Sequence, residues 1–556
     1  MKRQRVVVRA FILLTIAGAV ITAQTNTESS RRQAINQPNA NQTPATSSNA
    51  ATLLKAGRLQ EAEVAARAAM AANPGNADAH ALLGVILGQR GSSDEAEKQL
   101  RTAVRLNRRS TLALTNLGVL LVRTGRGDEA VGMFEEVMRI APNHNQAAYN
   151  LAVLYMTRKD YQHALPLLET LLTADGGPDQ SEIELLLTLA DANAHAGRSD
   201  EAIRLSKIIE HRAGSDPRVL FTLGLALADA GVYDRATQLF QTTNVLRPNT
   251  YEVLYNLGIA LFNLDRVSEA RQVLQQAATL RPEDPDVFYR LGLIASASDE
   301  SENALGLWQR AIKLRENYPS AYFMMGEELV KNKRNETALS YYERAVEEDP
   351  SQPIYQIRLG IAHFRARRYA QARETFEQAS TRFPTNATLY YLIGYSARAQ
   401  GDFETARKAF ERSVGLQPDN AEAYANLGFL ASEGGEQIEA ERLLRRALVL
   451  DANNYPATYD LGRLLVRAKR YEEALPLLER GTKLSPADPG VHYQLFLAYS
   501  RLKKRDEAER ELARFKELEE ARKQREGGSG SQEPLPAPKA QTDVRTKNAT
   551  GLQKRP

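Results

Sequence analysis

A period of 34 residues runs through most of this 556-residue chain and constrains its fold more than any other feature. When the recurring Leu-Gly dipeptides are aligned, a small residue occupies the same position in thirteen successive frames, and phenylalanine occupies it in a fourteenth. The step is 34 residues throughout, except for 38 between Ala152 and Ala190. The aligned residues are Ala50, Gly84, Gly118, Ala152, Ala190, Gly224, Gly258, Gly292, Gly326, Gly360, Gly394, Gly428, Gly462 and Phe496.

Further positions of the frame agree with one another. An alanine follows twelve residues after each aligned residue in all fourteen frames, from Ala62 to Ala508. A bulky residue such as Phe134 or Trp308 follows four residues later in most frames. Because two helices approach to about 8–9 Å only where small side chains meet, we predict that the glycine and the alanine face each other at a helix crossing. The bulky residues are then predicted to fill the space between the helices on either side of this crossing.

Acidic and proline residues mark the helix starts. Asp94, Asp128, Asp200, Asp234 and Asp506 open the second helix of their frames, where we expect carboxylates to cap free N–H groups and to favour the positive end of the helix dipole. Asp216-Pro217, Asp284-Pro285 and Asp488-Pro489 combine a capping carboxylate with a proline in the first helical turn. Each frame is therefore predicted to be two helices that bury their apolar faces against neighbouring frames.

This pattern resembles the tetratricopeptide repeat (TPR) over about residues 43–525. The resemblance implies an all-α fold: a helix–turn–helix solenoid of about fourteen repeats that forms a right-handed superhelix, with a C-terminal capping helix from Arg505. The aligned small residue is the eighth position of that repeat, the alanine the twentieth and the bulky residue the twenty-fourth. The motif is specific for the fold and does not identify a ligand.

The two ends of the chain differ from the repeats. Residues 1–23 have a basic start, an apolar run and small residues before Gln24, which predicts a cleaved secretory signal; an uncleaved membrane anchor is the alternative. Residues 24–42 form an Asn/Gln/Thr/Ser-rich leader, and residues 526–556 form a basic tail, both predicted to be disordered. The sequence therefore predicts an exported protein, periplasmic or associated with the cell envelope, without a transmembrane span in the mature chain.

The composition excludes several chemistries. The chain has no cysteine, and none of its seven histidines forms a helical pair suited to a metal ion. It contains no phosphate-binding loop and no nucleophile elbow. Its repeats are mildly acidic, because the basic residues concentrate at the two ends, which argues against nucleic acid as a partner. We predict no enzymatic activity, no cofactor and no metal.

In the TPR family, positions 2, 5, 6, 9, 12 and 13 of the first helices line the concave groove. Position 5 carries an aromatic stripe, and position 6 carries a broken series of asparagines that pair with both groups of a peptide backbone. Lysine and arginine concentrate at these positions in the later repeats. The predicted partner-binding residues are Asn116, Asn150, Asn256, Asn426, Tyr255, Tyr289, Lys331, Arg358, Arg365, Tyr391, Tyr395 and Arg398.

The sequence predicts an exported, non-enzymatic scaffold that binds other proteins or extended peptide segments in this groove, for assembly in the bacterial cell envelope. Two alternatives stay open. One is a periplasmic scaffold of exopolysaccharide export, since arginines and aromatic rings also suit an anionic polysaccharide. The other is a regulatory subunit of a separately encoded enzyme.

Overall fold

A computed structural model describes residues 47–172 and 180–526 of the chain. These residues form α-helices joined by short turns, without a strand among them. They belong to two compact units, which divide between Leu280 and Arg281. The predicted signal, the leader, the tail beyond Glu526 and the longer loop around Gly176 lie outside the described residues.

Unit 1 contains seven helical hairpins within the described range, each packed against the next. Odd-numbered helices are the first helices of their repeats and even-numbered helices are the second. The helices are α1 (Ser47–Lys55), α2 (Leu59–Ala72), α3 (Ala77–Gln89), α4 (Ser93–Leu106), α5 (Thr111–Arg123), α6 (Gly127–Ile140), α7 (Asn145–Thr157), α8 (Tyr161–Leu172), α9 (Gln180–His195), α10 (Ser199–Ala213), α11 (Pro217–Asp229), α12 (Tyr233–Leu246), α13 (Tyr251–Asn263) and α14 (Val267–Leu280).

Unit 2 repeats the same arrangement with seven further hairpins. Its last helix is the longest of the described helices and is largely charged, as a terminal cap requires. The helices are α15 (Pro285–Ala297), α16 (Ser301–Leu314), α17 (Pro319–Lys331), α18 (Asn335–Glu348), α19 (Pro353–Arg365), α20 (Tyr369–Arg382), α21 (Ala387–Ala399), α22 (Phe403–Leu416), α23 (Ala421–Glu433), α24 (Gln437–Leu450), α25 (Tyr455–Arg467), α26 (Tyr471–Leu484), α27 (Pro489–Arg501) and α28 (Arg505–Glu526).

The position-8 glycine lies closest to the side chain at position 24, whereas the sequence predicted the position-20 alanine as its partner. At Gly84 both are near, since an added Cβ would lie 2.6 Å from Leu100 Cγ and 3.1 Å from the Ala96 carbonyl oxygen. A Cβ added to Gly326 would lie 2.6 Å from Tyr342 Cε1, and one added to Gly258 would lie 2.5 Å from Leu274 Cγ. The large side chain of the second helix lies directly over the glycine, where any Cβ would overlap it. The small residue therefore makes room for a ring or a leucine, and the alanine is buried in the same core.

Helix starts follow two different rules. Asp216, Asp284 and Asp488 accept backbone N–H bonds at the first helices of their repeats, with proline in the first turn, as predicted. At the second helices, Asp94 and Asp128 lie in the first turn as predicted, but the expected capping bonds are not made. Their carboxylates still lie at the positive end of the helix dipole.

The turn inside every described repeat requires a left-handed backbone at position 15. Here φ lies between 58° and 85° in all fourteen turns. Seven of these residues are glycine, as at Gly91, and seven carry side chains, as at Lys159 and Lys333. A side chain costs about 1–2 kcal/mol in this conformation, so the seven non-glycine turns are strained.

Candidate functional site

The first helices of neighbouring repeats contact one another within each unit, as α3 and α5 do, and as α23 and α25 do. Their side chains at repeat positions 2, 5, 6, 9, 12 and 13 therefore lie on one continuous surface of the unit. We call this surface the first-helix face. It contains the predicted partner-binding residues, which fall partly in unit 1 and partly in unit 2.

Four of the predicted residues lie in unit 1. Asn116 in α5 is half-buried, and its Nδ2 donates to the Leu112 carbonyl oxygen at 2.8 Å. Asn150 in α7 is half-buried, whereas Tyr255 and Asn256 in α13 are fully buried. Asn256 Nδ2 also donates to a carbonyl one turn earlier, at 2.8 Å. The amide nitrogens of Asn116 and Asn256 are thus bonded to carbonyl oxygens of their own helices, and the amide oxygens point away from those carbonyls.

Unit 1 also holds a half-buried ionic cluster on the same face, which we call the His195 cluster: His195 and Asp191 in α9, with Asp229 in α11. His195 Nδ1 lies 3.0 Å from Asp191 Oδ1, and Nε2 lies 3.5 Å from Asp229 Oδ2. Tyr161 stacks on the imidazole at 5.6 Å between ring centroids. Burial lowers the pKa of His195, but the two carboxylates outweigh it and raise that pKa to about 10. The cluster is therefore a protonated histidine held between the carboxylates of two neighbouring repeats.

Four predicted residues lie in the first half of unit 2. Tyr289 in α15 is buried, and its ring lies 5.2 Å from that of Tyr318. Lys331 Nζ bonds Asp299 at 2.6 Å, and Arg358 Nε lies 3.1 Å from Glu327 Oε1. Arg365 is exposed at the end of α19.

Two of the four predicted cations, Lys331 and Arg358, are thus held by carboxylates of the chain itself. Glu327 also accepts a hydrogen bond from Tyr342 Oη at 2.6 Å, so Arg358 is part of a network that reaches the core. Anion binding at these two residues remains a prediction, and it requires displacement of their present partners.

The remaining predicted residues lie close together in unit 2. Tyr391 and Tyr395 in α21 are buried, with ring centroids 6.2 Å apart. The guanidinium carbon of Arg398 lies 5.0 Å from the Tyr395 centroid and 5.2 Å from that of Phe429 in α23. Asn426, also in α23, is buried and donates from Nδ2 to the Glu422 carbonyl oxygen at 2.8 Å.

A second ionic cluster adjoins these residues. It joins α21, α23 and α25, and we call it the Arg463 cluster: Arg398, Phe429, Glu433, Asp460, Arg463 and Arg467. Arg463 Nη2 lies 3.0 Å from Glu433 Oε1 and 3.3 Å from Asp460 Oδ1. The Arg463 guanidinium also lies 5.7 Å from the Phe429 centroid, so this ring has two arginines within cation–π distance. Arg467 lies 3.7 Å from Glu433.

Asp460 is the buried acid of this cluster. Its residue is 8% exposed. Burial raises the pKa of Asp460 to about 6, although Arg463 and Arg398 oppose that shift. The charged carboxylate is therefore poorly solvated and only partly compensated.

Two polar atoms on the neighbouring first helices α23 and α25 are buried without a hydrogen bond among the described residues: the acceptor Asn426 Oδ1 and the donor Arg463 Nε. Buried polar atoms in native structures are nearly always bonded, and an exception points to a missing partner. One acceptor and one donor together match the N–H and C=O groups of a peptide. This corner of the first-helix face therefore has the chemistry of a peptide-binding site.

The sequence analysis missed Asp460 and Gln494 as site residues. Both occupy position 6, two and four helices after Asn426, so three consecutive repeats present a polar side chain there. The signal was available, because an aspartate or glutamine at this position offers the same carbonyl-type oxygen as an asparagine.

Residues 47–172 and 180–526 contain no group of three His, Cys, Asp or Glu side chains in an arrangement that could hold a metal ion. Within the same ranges, no helix combines the length and the apolar character needed to cross a bilayer.

Comparison with protein families agrees with the repeat positions. Two tetratricopeptide repeat family models match residues 53–117, 121–180 and 221–285. The chain is a tetratricopeptide repeat protein. A further model, described as the C-terminal domain of cilia and flagella-associated protein 70, matches residues 309–533 of this TPR protein. The prediction of the family and of the all-α solenoid fold is confirmed, and the family is generally a non-enzymatic scaffold fold.

The sequence matches no curated protein. Among solved structures, the TPR protein is similar to yeast Tom70, with 17% identity and a TM-score of 0.32, over 77% of this chain and 96% of that one. It is also similar to Naa15/Naa10 bound to HypK, with 15% identity and a TM-score of 0.32, over 85% of this chain and 93% of that one. The C-terminal part of a TPR protein from Cytophaga hutchinsonii is 16% identical with a TM-score of 0.39, over 43% and 99%. These scores are too low to carry an argument.

Proposed function

We propose that this protein is a scaffold that binds an extended segment of a partner protein on the first-helix face of unit 2, at the Arg463 cluster. The observation that carries the proposal is the pair of buried, unsatisfied atoms, Asn426 Oδ1 and Arg463 Nε. A peptide group supplies one donor and one acceptor, and pairing them recovers the free energy lost by burying both atoms alone. Aromatic rings beside the site offer apolar contact area for the partner's side chains.

We also propose that the scaffold acts outside the cytoplasm, in the bacterial cell envelope. The basic, apolar and small residues of positions 1–23 support export. Sequencing the N-terminus of the protein from the envelope fraction tests this proposal: cleavage after Ala23 supports it. An intact Met1 on an envelope-bound protein supports the anchored alternative, and a wholly cytosolic protein contradicts export.

Site-specific photo-crosslinking in the native cell tests the binding surface. A photoreactive amino acid at Arg467, on the first-helix face, should capture the partner. The matched control is Ile438 on the second helix α24, whose residue is 90% exposed. Equal capture at both positions, or capture at Ile438 alone, would contradict the proposed surface.

The captured species also decides between the open alternatives. If protease digestion of the crosslinked product leaves only a short peptide attached to this chain, the captured partner is a protein. The identity of that protein then shows whether it is an enzyme that this chain regulates. A product that resists protease and yields sugar acids would favour the polysaccharide alternative, to which arginines on aromatic rings are also suited.

A further inference from the structure

Asp460 occupies the place of a ladder asparagine but brings a negative charge to it. At position 6 of its repeat it corresponds to Asn426 in the preceding repeat and to Gln494 in the following one. Its carboxylate lies 3.3 Å from Arg463 Nη2, and its residue is 8% exposed. The chain thus places its own carboxylate against the arginine whose Nε lacks an acceptor.

The charges around Asp460 come from three helices. Arg463 and Arg467 belong to α25 itself, Arg398 comes from α21, and Glu433 comes from α23. The other neighbours of α25 contribute different chemistry. The helices α24 and α26 join the apolar core with side chains such as Leu443 and Leu478, and α27 brings the amide of Gln494 near Tyr459.

Three arginines against Asp460 and Glu433 leave an excess of one positive charge when both acids are ionised. Protonation of Asp460 raises that excess and releases one acceptor from Arg463. The guanidinium can then hold an incoming carboxylate through two parallel hydrogen bonds.

We propose that the Arg463 cluster binds a carboxylate side chain of the partner segment, and that tight binding requires Asp460 to take up a proton. The proposal rests on the proposed function and adds to it the chemical class of the recognised side chain and a dependence on pH. In the free protein Asp460 occupies the place of the ligand carboxylate. In the complex, neutral Asp460 no longer competes, and the partner's backbone N–H pairs with Asn426 Oδ1.

The electrostatics of the site support this exchange. Burial raises the pKa of Asp460 to about 6, so a proton is available to it under mildly acidic conditions. The carboxylates of a solvated peptide keep their ordinary pKa, near 4.3 for glutamate, and stay ionised there. A window therefore exists in which the ligand is charged and its internal competitor is neutral.

Binding of a labelled, end-blocked peptide of alternating Ala and Glu to the full chain tests the proposal, with an Ala/Gln peptide of equal length as the comparison. Fluorescence anisotropy is measured at constant salt, at about pH 5.5 and about pH 7.5. We expect the Glu peptide to bind about 25-fold more tightly at the lower pH, because the neutral fraction of a group of pKa about 6 falls from about 0.76 to about 0.03 between these two values. The Gln peptide should show no such change.

Asp460→Asn supplies the decisive variant, because it keeps the shape of the side chain and mimics the protonated acid. It should bind the Glu peptide at about pH 7.5 as tightly as the wild type does at about pH 5.5, with its pH dependence lost. The matched control is Asp419→Asn, which removes an exposed carboxylate of the neighbouring repeat and should keep the wild-type profile. Circular dichroism checks that both variants are folded.

The outcomes separate the two proposals. Equal binding of both peptides at both pH values overturns the carboxylate and proton inference and leaves the peptide-binding function standing. No binding of either peptide overturns both. A preference for Glu without pH dependence, or an Asp460→Asn variant that binds no better than the wild type at about pH 7.5, overturns the role of Asp460. If that variant does not fold, the wild-type profile against the two peptides still decides.

Discussion

Unit 1 and unit 2 each hold an ionic cluster on the first-helix face, and the two clusters have opposite character. In the His195 cluster one cation lies between two carboxylates, and the partners outweigh burial, so the pKa of His195 is raised to about 10. In the Arg463 cluster burial outweighs the arginines, so the pKa of Asp460 is raised to about 6. The first cluster is satisfied and stabilises its unit, whereas the second stores an unfavourable charge. Electrostatic strain of this kind is characteristic of binding sites.

The largest expected effect is an alkaline loss of stability confined to the His195 cluster. Because the pKa of His195 is raised from an ordinary 6.5 to about 10, its stabilisation is complete below about pH 6.5 and is lost as the pH rises through about 10. The full loss is on the order of 5 kcal/mol. Denaturant-dependent hydrogen exchange of α9 and α11 measures it. His195→Gln should lack this loss, and an identical pH profile in the variant would refute it.

His195→Gln itself should destabilise α9 and α11 at neutral pH by roughly 3 kcal/mol, because it leaves Asp191 and Asp229 facing each other without a cation. The control is His163→Gln, whose side chain is 68% exposed and pairs with Asp160 on the surface. That change should cost less than about 0.5 kcal/mol. Local hydrogen exchange compares the two, and equal costs would mean that burial adds nothing to the His195 cluster.

Asp460→Asn should have the opposite effect on stability and should stabilise α23 and α25. A raised carboxyl pKa means that stability is greatest below about pH 4 and falls as the pH rises to about 6, the value for Asp460. Above that pH the neutral amide should gain about 1–2 kcal/mol. Chemical denaturation followed by exchange of α25 measures the gain. Destabilisation at neutral pH, with Asp419→Asn neutral, would show that Asp460 is instead held favourably by Arg463.

The smallest expected effect concerns the strained turns, whose contribution to stability can be compared between the two units. Lys159 and Lys333 adopt φ of 62° and 59° in the turns of units 1 and 2. Replacing either residue with glycine should stabilise its repeat by about 0.5–1 kcal/mol, since glycine adopts this conformation without strain but is more flexible when unfolded. Thermal unfolding and local exchange should give equal gains in both units. A gain in one unit alone would reveal a difference in the turns that the backbone angles do not show.

The paired charges mark the limit of prediction from the sequence. Repeat numbering places Asp191, Asp229, Asp460 and Arg463 on the first-helix face. It does not determine that His195 Nε2 also approaches Asp229 or that Arg463 also reaches Glu433. These two contacts join neighbouring first helices, and the choice of partner depends on helix spacing and side-chain rotamers. The same limit applies to Lys331 and Arg358, which the sequence presents as free cations.

The amino-acid sequence by itself predicted the helical hairpins, their number and their order, because a 34-residue period with small, alanine and bulky positions is typical of this fold. Repeat numbering placed the predicted residues on the first-helix face, but the sequence analysis did not select Asp460 or Gln494 as site residues. Only the tertiary structure decided that the position-8 glycine lies beneath the position-24 side chain, as Gly326 lies beneath Tyr342. It also decided which ionic groups are satisfied. Both outcomes depend on distances of a few ångströms between helices, and burial at those distances sets whether a charge stabilises the fold or remains available to a partner.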